Sequence, residues 1–112
     1  MNVLFLCTEN IARSPMAELL FRELLGANAR HHARSAGVAS YANRRLTTRD
    51  LAWADVVAVM EASHLELIRN RWPDHAGKTL VLDVPDPHEP SEAELRALLT
   101  TKVQSLIEKL DR

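Results

Sequence analysis

The single cysteine of the sequence, Cys7, is separated from Arg13 by five residues, in the run Cys7-Thr8-Glu9-Asn10-Ile11-Ala12-Arg13-Ser14-Pro15. A loop of this length can curl so that successive backbone N–H groups converge on an anion, and a helix opening behind it adds partial positive charge. Arg13 brings a planar guanidinium that can hold two phosphate oxygens in a fork. The same positive field favours the thiolate form of Cys7, which is the nucleophilic form. A thiolate beneath a bound phosphate is placed for in-line attack on phosphorus. Ser14 reads both as the cap of the following helix and as a donor to the Cys7 sulfur, and the two roles are compatible. Asn10 suits the left-handed backbone that a tight nest requires. Bare Cys-x5-Arg spacing arises easily by chance in an arginine-rich chain. A strand before it, a helix after it and an adjoining serine give it meaning. The competing reading makes Cys7 a small buried hydrophobe at a strand end.

Attack by a thiolate needs a proton donor for the departing oxygen. The candidates lie in Leu82-Asp83-Val84-Pro85-Asp86-Pro87-His88-Glu89-Pro90. Asp86 stands between two prolines that restrict its backbone. Asp83 is the rival, at the end of the preceding strand. A stiff turn of solvated acids is the third reading, and the residues alone leave all three open. Glu9 brings a carboxylate into the loop that must receive a phosphate. Turned inward it would oppose the bound anion; turned to solvent, or paired with Arg44 or Arg45, it costs little, so the outward geometry is expected.

These residues need elements to hold them. Asn2 to Leu6 is an apolar run that reads as a buried parallel strand ending at Cys7. Ser14-Pro15 opens a helix through Leu25, with Gly26 as its stop. A second strand is expected over 31–36, a loop over 37–45, and a short helix capped by Thr47 or Thr48 through Trp53. Strands over 55–60 and 79–82 flank a helix over 63–72 that Pro73 ends. Ser91 and Glu94 form a capping-box pattern for a last helix, whose apolar face is Leu95, Leu98, Leu99, Val103, Leu106, Ile107 and Leu110. The alternation β-α-β-α-β-α-β-α predicts an α/β fold, a parallel sheet with helices on both faces. Ligands of such sheets bind outside the carboxyl ends of the strands, where Cys7 and the 83–90 loop both fall. His31 and His32 point to opposite faces of a strand and make no metal pair. His64 and His75 read as surface residues, and Trp53 and Trp72 as packing residues.

At 112 residues, 1–112 reads as one domain, and 46% hydrophobic with 26% charged residues is ordinary for a globular protein. The formal net charge of -1 does not favour a nucleic-acid surface. One cysteine allows no internal disulfide or cysteine metal cluster and suits a reducing compartment. No run approaches the roughly 20 apolar residues of a membrane span, and the start is too short for a signal peptide, so a cytoplasmic location is expected.

With the loop and the acid in view, the chain resembles the low-molecular-weight protein tyrosine phosphatases. The resemblance is carried by VLFLCTENIARSPMAE, RSAGV, RRLTTRDLAWADVVAVME, DVPDPHEP and the last helix. It implies a three-layer sandwich with a four-stranded parallel sheet and a phosphate loop after the first strand. It also implies Cys7 as nucleophile, Arg13 as phosphate binder and Asp86, followed by Pro87, as general acid. Thr8, Glu9, Asn10, Ile11, Ala12 and Ser14 then form the loop. Ser14 supports the thiolate, and Asn10 and Ser35 belong to a network that holds the loop. The substrate implied is a phosphorylated protein or small aryl phosphate, hydrolysed through a phosphocysteine without metal or organic cofactor. The chain departs from the pattern at Glu9 (usually glycine), at Ala12 (often a second cysteine) and at His88 and Glu89 (an aromatic pair). Its loop between Val38 and Arg44 is also short. Competing functions are a non-catalytic phosphate- or phosphoprotein-binding module and arsenate reduction. The thioredoxin-coupled form of the latter needs further cysteines that this chain lacks.

Overall fold

The computed structural model describes residues 1–27, 30–85 and 91–112. The elements run β1 (Asn2–Cys7), α1 (Arg13–Leu25), β2 (His32–Gly37), α2 (Thr48–Trp53), β3 (Val56–Val59), α3 (Ala62–Arg71), β4 (Thr79–Val81) and α4 (Glu92–Leu110). A 3-10 helix, Pro73–Lys78, joins α3 to β4 and replaces the plain break expected at Pro73. Proline at its first position supplies the fixed φ that such a turn needs. The four strands are parallel, in the order β2-β1-β3-β4.

β1 is central because it is apolar on both faces. Val3, Phe5 and Cys7 pack with Ala17, Leu20 and Phe21 of α1 and with Leu95, Leu99, Val103 and Leu106 of α4. Leu4 and Leu6 pack on the other side with Leu51 of α2 and Ile68 of α3. Strand alternation thus divides the core into the two layers of a sandwich. Phe5 and Phe21 meet edge to face at 5.7 Å between centroids. Truncating either to alanine would cost about 3–5 kcal/mol. Leu98, expected on the apolar face of α4, is 38% exposed, because it lies outside the stripe of its four buried neighbours.

The caps follow local chemistry. Thr47 and Asp50 form a reciprocal capping box at α2. Ser91 accepts the Glu94 amide at α4. Gly26 ends α1 at φ 62, a conformation that favours glycine. Ser14 is not a cap. α1 begins two residues earlier than a Ser14 cap would set it, Ala12 is its N-cap without a side-chain bond, and the Ser14 hydroxyl is used elsewhere. Among the described residues no helix is long and apolar enough to cross a membrane.

Candidate active site

Register brings the parts together. Cys7 pairs with Gly37 and Leu6 with Val59, so β1 ends beside the exits of β2 and β3. The pairing continues past β4, where the Val84 amide donates to Met60 O at 2.9 Å. The carboxyl ends of all four strands therefore meet around the 7–14 loop.

Three successive carbonyls of that loop face outward. Cys7 O, Thr8 O and Glu9 O accept from the amides of Val38, Ala39 and Asn43 at 2.9–3.0 Å. The short segment after β2 is thus a brace for the loop. Gly37 makes the approach possible, since a Cβ there would meet Ala42 Cβ at 2.5 Å and Thr8 O at 2.8 Å. With their carbonyls tied outward, the peptides turn N–H groups inward as a nest requires. Asn10 sits at φ 56, the left-handed value its sequence position predicts.

The nest closes over sulfur. Cys7 Sγ lies 3.0 Å from Ser14 Oγ and accepts the Asn10 amide at 3.2 Å. Asn10 Nδ2 donates to Ser14 Oγ at 2.8 Å and to Ser35 Oγ at 3.1 Å, and Ser14 Oγ reaches Ala36 O at 3.3 Å. Asn10, Ser14 and Ser35 are buried, yet among the described residues every buried side-chain nitrogen or oxygen has a partner. Hydrogen bonds aimed at a sulfur stabilise its anion.

Arg13 is also buried. Its Nη1 donates to Glu61 Oε2 at 2.9 Å and to Val84 O at 2.8 Å, so one nitrogen carries both anchors. Among the described residues no bond engages Nε or Nη2, whose hydrogens can form the fork for an anion. Cys7, Thr8, Glu9, Ile11, Ala12 and Arg13 line a cavity of about 180 Å³ at this point. That volume is ample for a phosphate group. Glu9 is solvent-exposed and lines the rim of this cavity, while Arg44 is engaged with Asp50 at 3.4 Å.

Asp83 adopts φ 58, is exposed, and lines grooves beside Glu61 and beside α4, not the Cys7 cavity. Asp86, Pro87, His88 and Glu89 lie outside the described residues. Two contributors escape the sequence reading. Glu61 carries no expected role there, and His64, expected at the surface, is 3% exposed and bonded to Thr8. A signal for both is present: Glu61-Ala62-Ser63-His64 follows a strand end with the three-residue spacing of a capping box.

Comparison with known proteins bears on this geometry. Residues 2–50 match the family model of low molecular weight phosphotyrosine protein phosphatase. The tyrosine phosphatase Wzb from Escherichia coli K30, solved with phosphate, is 30% identical over 97% of each chain, with a TM-score of 0.80. This chain belongs to the low molecular weight protein-tyrosine-phosphatase family. As in the rest of the family, it is a cysteine-based phosphatase that works through a phosphocysteine. The low molecular weight protein-tyrosine-phosphatase Ptp of Acinetobacter johnsonii is 28% identical, covering 82% of this chain and 83% of that protein. The arginine phosphatase YwlE of Geobacillus stearothermophilus is also 28% identical, covering 98% and 92%, with a TM-score of 0.82. The fold shared with these phosphatases is the four-stranded parallel sandwich described above.

Proposed function

We propose that residues 1–112 act as one phosphatase unit in which Cys7 attacks phosphorus, Arg13 holds the phosphoryl oxygens and Asp86 supplies the proton. The observation that carries this is the Cys7 sulfur, held by Ser14 and the Asn10 amide, in the same cavity that Arg13 lines. In the first step the thiolate forms a P–S bond as the P–O bond to the leaving group breaks, and that oxygen takes the Asp86 proton. In the second, water attacks phosphorus, its proton goes to the Asp86 carboxylate, and the P–S bond breaks. The Ser14 hydroxyl then donates to the departing thiolate. Thr8, Glu9, Asn10, Ile11 and Ala12 supply the loop backbone that cradles the phosphoryl group, and Ser35 holds Asn10 in place.

The substrate we assign is a phosphotyrosine protein or a small aryl phosphate, and the compartment the reducing cytoplasm that a nucleophilic thiol requires. The likeness to an arginine phosphatase supports a second substrate class, a phosphorylated guanidinium, to which the exposed Glu9 carboxylate at the rim is complementary. Turnover of phosphotyrosine and phosphoarginine peptides, measured side by side, separates the two.

The decisive test is Cys7→Ser. A serine hydroxyl stays protonated at neutral pH, so turnover of an aryl phosphate is abolished while phosphate or vanadate still binds. Turnover at the wild-type rate in this variant would exclude the covalent route.

A further inference from the structure

The phosphate site is assembled from two separately anchored parts. The loop is anchored on the segment after β2, through the carbonyls of Cys7, Thr8 and Glu9. The Arg13 guanidinium is anchored on the opposite side, by Glu61 at the start of α3 and Val84 beyond β4. A dianion that touches both parts binds well only if the distance between them is fixed.

His64 spans that gap. Its Nδ1 accepts the Glu61 amide at 3.1 Å, which places the ring hydrogen on Nε2. Nε2 lies 3.0 Å from Thr8 Oγ1, so the imidazole donates to the threonine hydroxyl. The same Nε2 is 3.8 Å from the Glu61 carboxylate that grips Arg13. The ring is buried and planar, and both of its nitrogens are used in fixed directions. Thr8 is thereby held twice, by its carbonyl on Ala39 and by its hydroxyl on His64.

We propose that His64 is a positioning residue of the phosphate site, a strut that sets Thr8 and the opening of the loop against the Glu61–Arg13 pair. This rests on the phosphatase reading of the cavity. It goes beyond that reading by giving a role to a residue that touches neither phosphorus nor sulfur.

The test is a double-mutant cycle read by calorimetric titration of inorganic phosphate, with kcat and KM for an aryl phosphate measured alongside. His64→Leu removes the bonds to Glu61 and Thr8, Thr8→Val removes only the hydroxyl, and His64→Gln keeps one acceptor and one donor. His64→Leu and Thr8→Val should each weaken phosphate binding by about three- to tenfold, the effect of one lost hydrogen bond. The double variant should be no weaker than the worse single variant to within about twofold, because both changes break the same link. His64→Gln should recover binding to within about threefold of wild type. A role confined to capping α3 predicts a lower melting temperature for His64→Leu with unchanged phosphate affinity, and no effect of Thr8→Val on affinity. Either result overturns the proposal, as do additive losses in the double variant. Should His64→Leu fail to fold, Thr8→Val decides alone, since it leaves the helix cap intact. Absence of turnover in the wild type with intact phosphate binding would sink the phosphatase reading and leave the strut standing.

Discussion

At the carboxyl ends of the strands, Asn10, Arg13, Ser14, Ser35 and His64 are between 0% and 5% exposed and bonded to one another's neighbours across four elements. At the opposite side of the fold a second polar cluster is partly open to solvent, with the Arg30 side chain 43% exposed and the His31 side chain 7%. There Arg30 and His31 both bond Asp111 beyond the end of α4, at 2.6 Å and 2.7 Å, and the Met1 ammonium joins them. The bond lengths are similar, but the consequences are not. Water competes for Arg30 and Asp111 and salt screens them, so removing one leaves the other solvated, and only the His31 ring is covered. The buried groups have no such substitute, and each loss strands a partner. The difference teaches that short distances do not rank interactions. What a group has in place of its partner does.

Arg13→Lys is the hardest test of that contrast. An ammonium cannot serve Glu61, Val84 O and a phosphate fork together. We expect kcat/KM to fall by about 100-fold or more, near 3 kcal/mol of transition-state stabilisation. A loss below tenfold would show that the buried cluster tolerates substitution as the exposed one does. Asp86→Asn comes next. It should lower kcat strongly for basic leaving groups and weakly for activated ones, because protonation matters most when the departing oxygen is basic. A uniform loss across a leaving-group series would argue for a structural role, and an effect confined to Asp83→Asn would transfer the acid to Asp83.

Gly37→Ala sharpens the comparison from the backbone side. A methyl group 2.8 Å from Thr8 O must push the brace off the loop. We expect phosphate affinity and melting temperature to fall together, by calorimetry on one sample, with a loss of about 1–3 kcal/mol in stability. Glu9→Gln should change KM for charged peptides more than kcat for a neutral aryl phosphate, and the change should shrink with salt.

Asp111→Asn gives the smallest effect. The hydrogen bond from Arg30, then that from His31, holds the Asp111 carboxyl well below the usual carboxylate range. A depressed carboxylate contributes stability in full above its unfolded value, about pH 4, and loses it as pH falls toward the folded value. The variant should therefore melt slightly below wild type at neutral pH and level with it in strong acid, with unchanged kcat. A large loss at neutral pH, insensitive to salt, would place this cluster with the buried one.

Much of this molecule is legible in its sequence. Patterning, caps and breakers together locate the strands and α-helices to within a few residues, most clearly at the strongly patterned β1 and α4. Spacing and resemblance single out Cys7, Asn10, Arg13, Ser14 and Ser35, and the described geometry brings all five together. The features that escape depend on contacts distant in sequence. Of the two roles expected of Ser14 the contact with Cys7 is present and the helix cap is not, because Asn10, Cys7 and Ala36 pack around its hydroxyl. His64 sits on a helix among polar residues, and its burial comes from the loop 56 positions earlier that covers it. The 3-10 turn at Pro73 is not legible, because a proline that ends a helix is compatible with many conformations after it.

The outward-tied carbonyls have a consequence for how the site breathes. Val38, Ala39 and Asn43 donate their amide hydrogens to the loop, so those hydrogens can exchange with solvent only when the loop lifts from its brace. Their exchange rates are therefore a direct reading of loop opening, taken at residues outside the 7–14 loop itself. An anion that binds only the closed loop slows all three by the factor 1 + [L]/Kd, so deuterium uptake at these amides reports occupancy without any chemistry taking place.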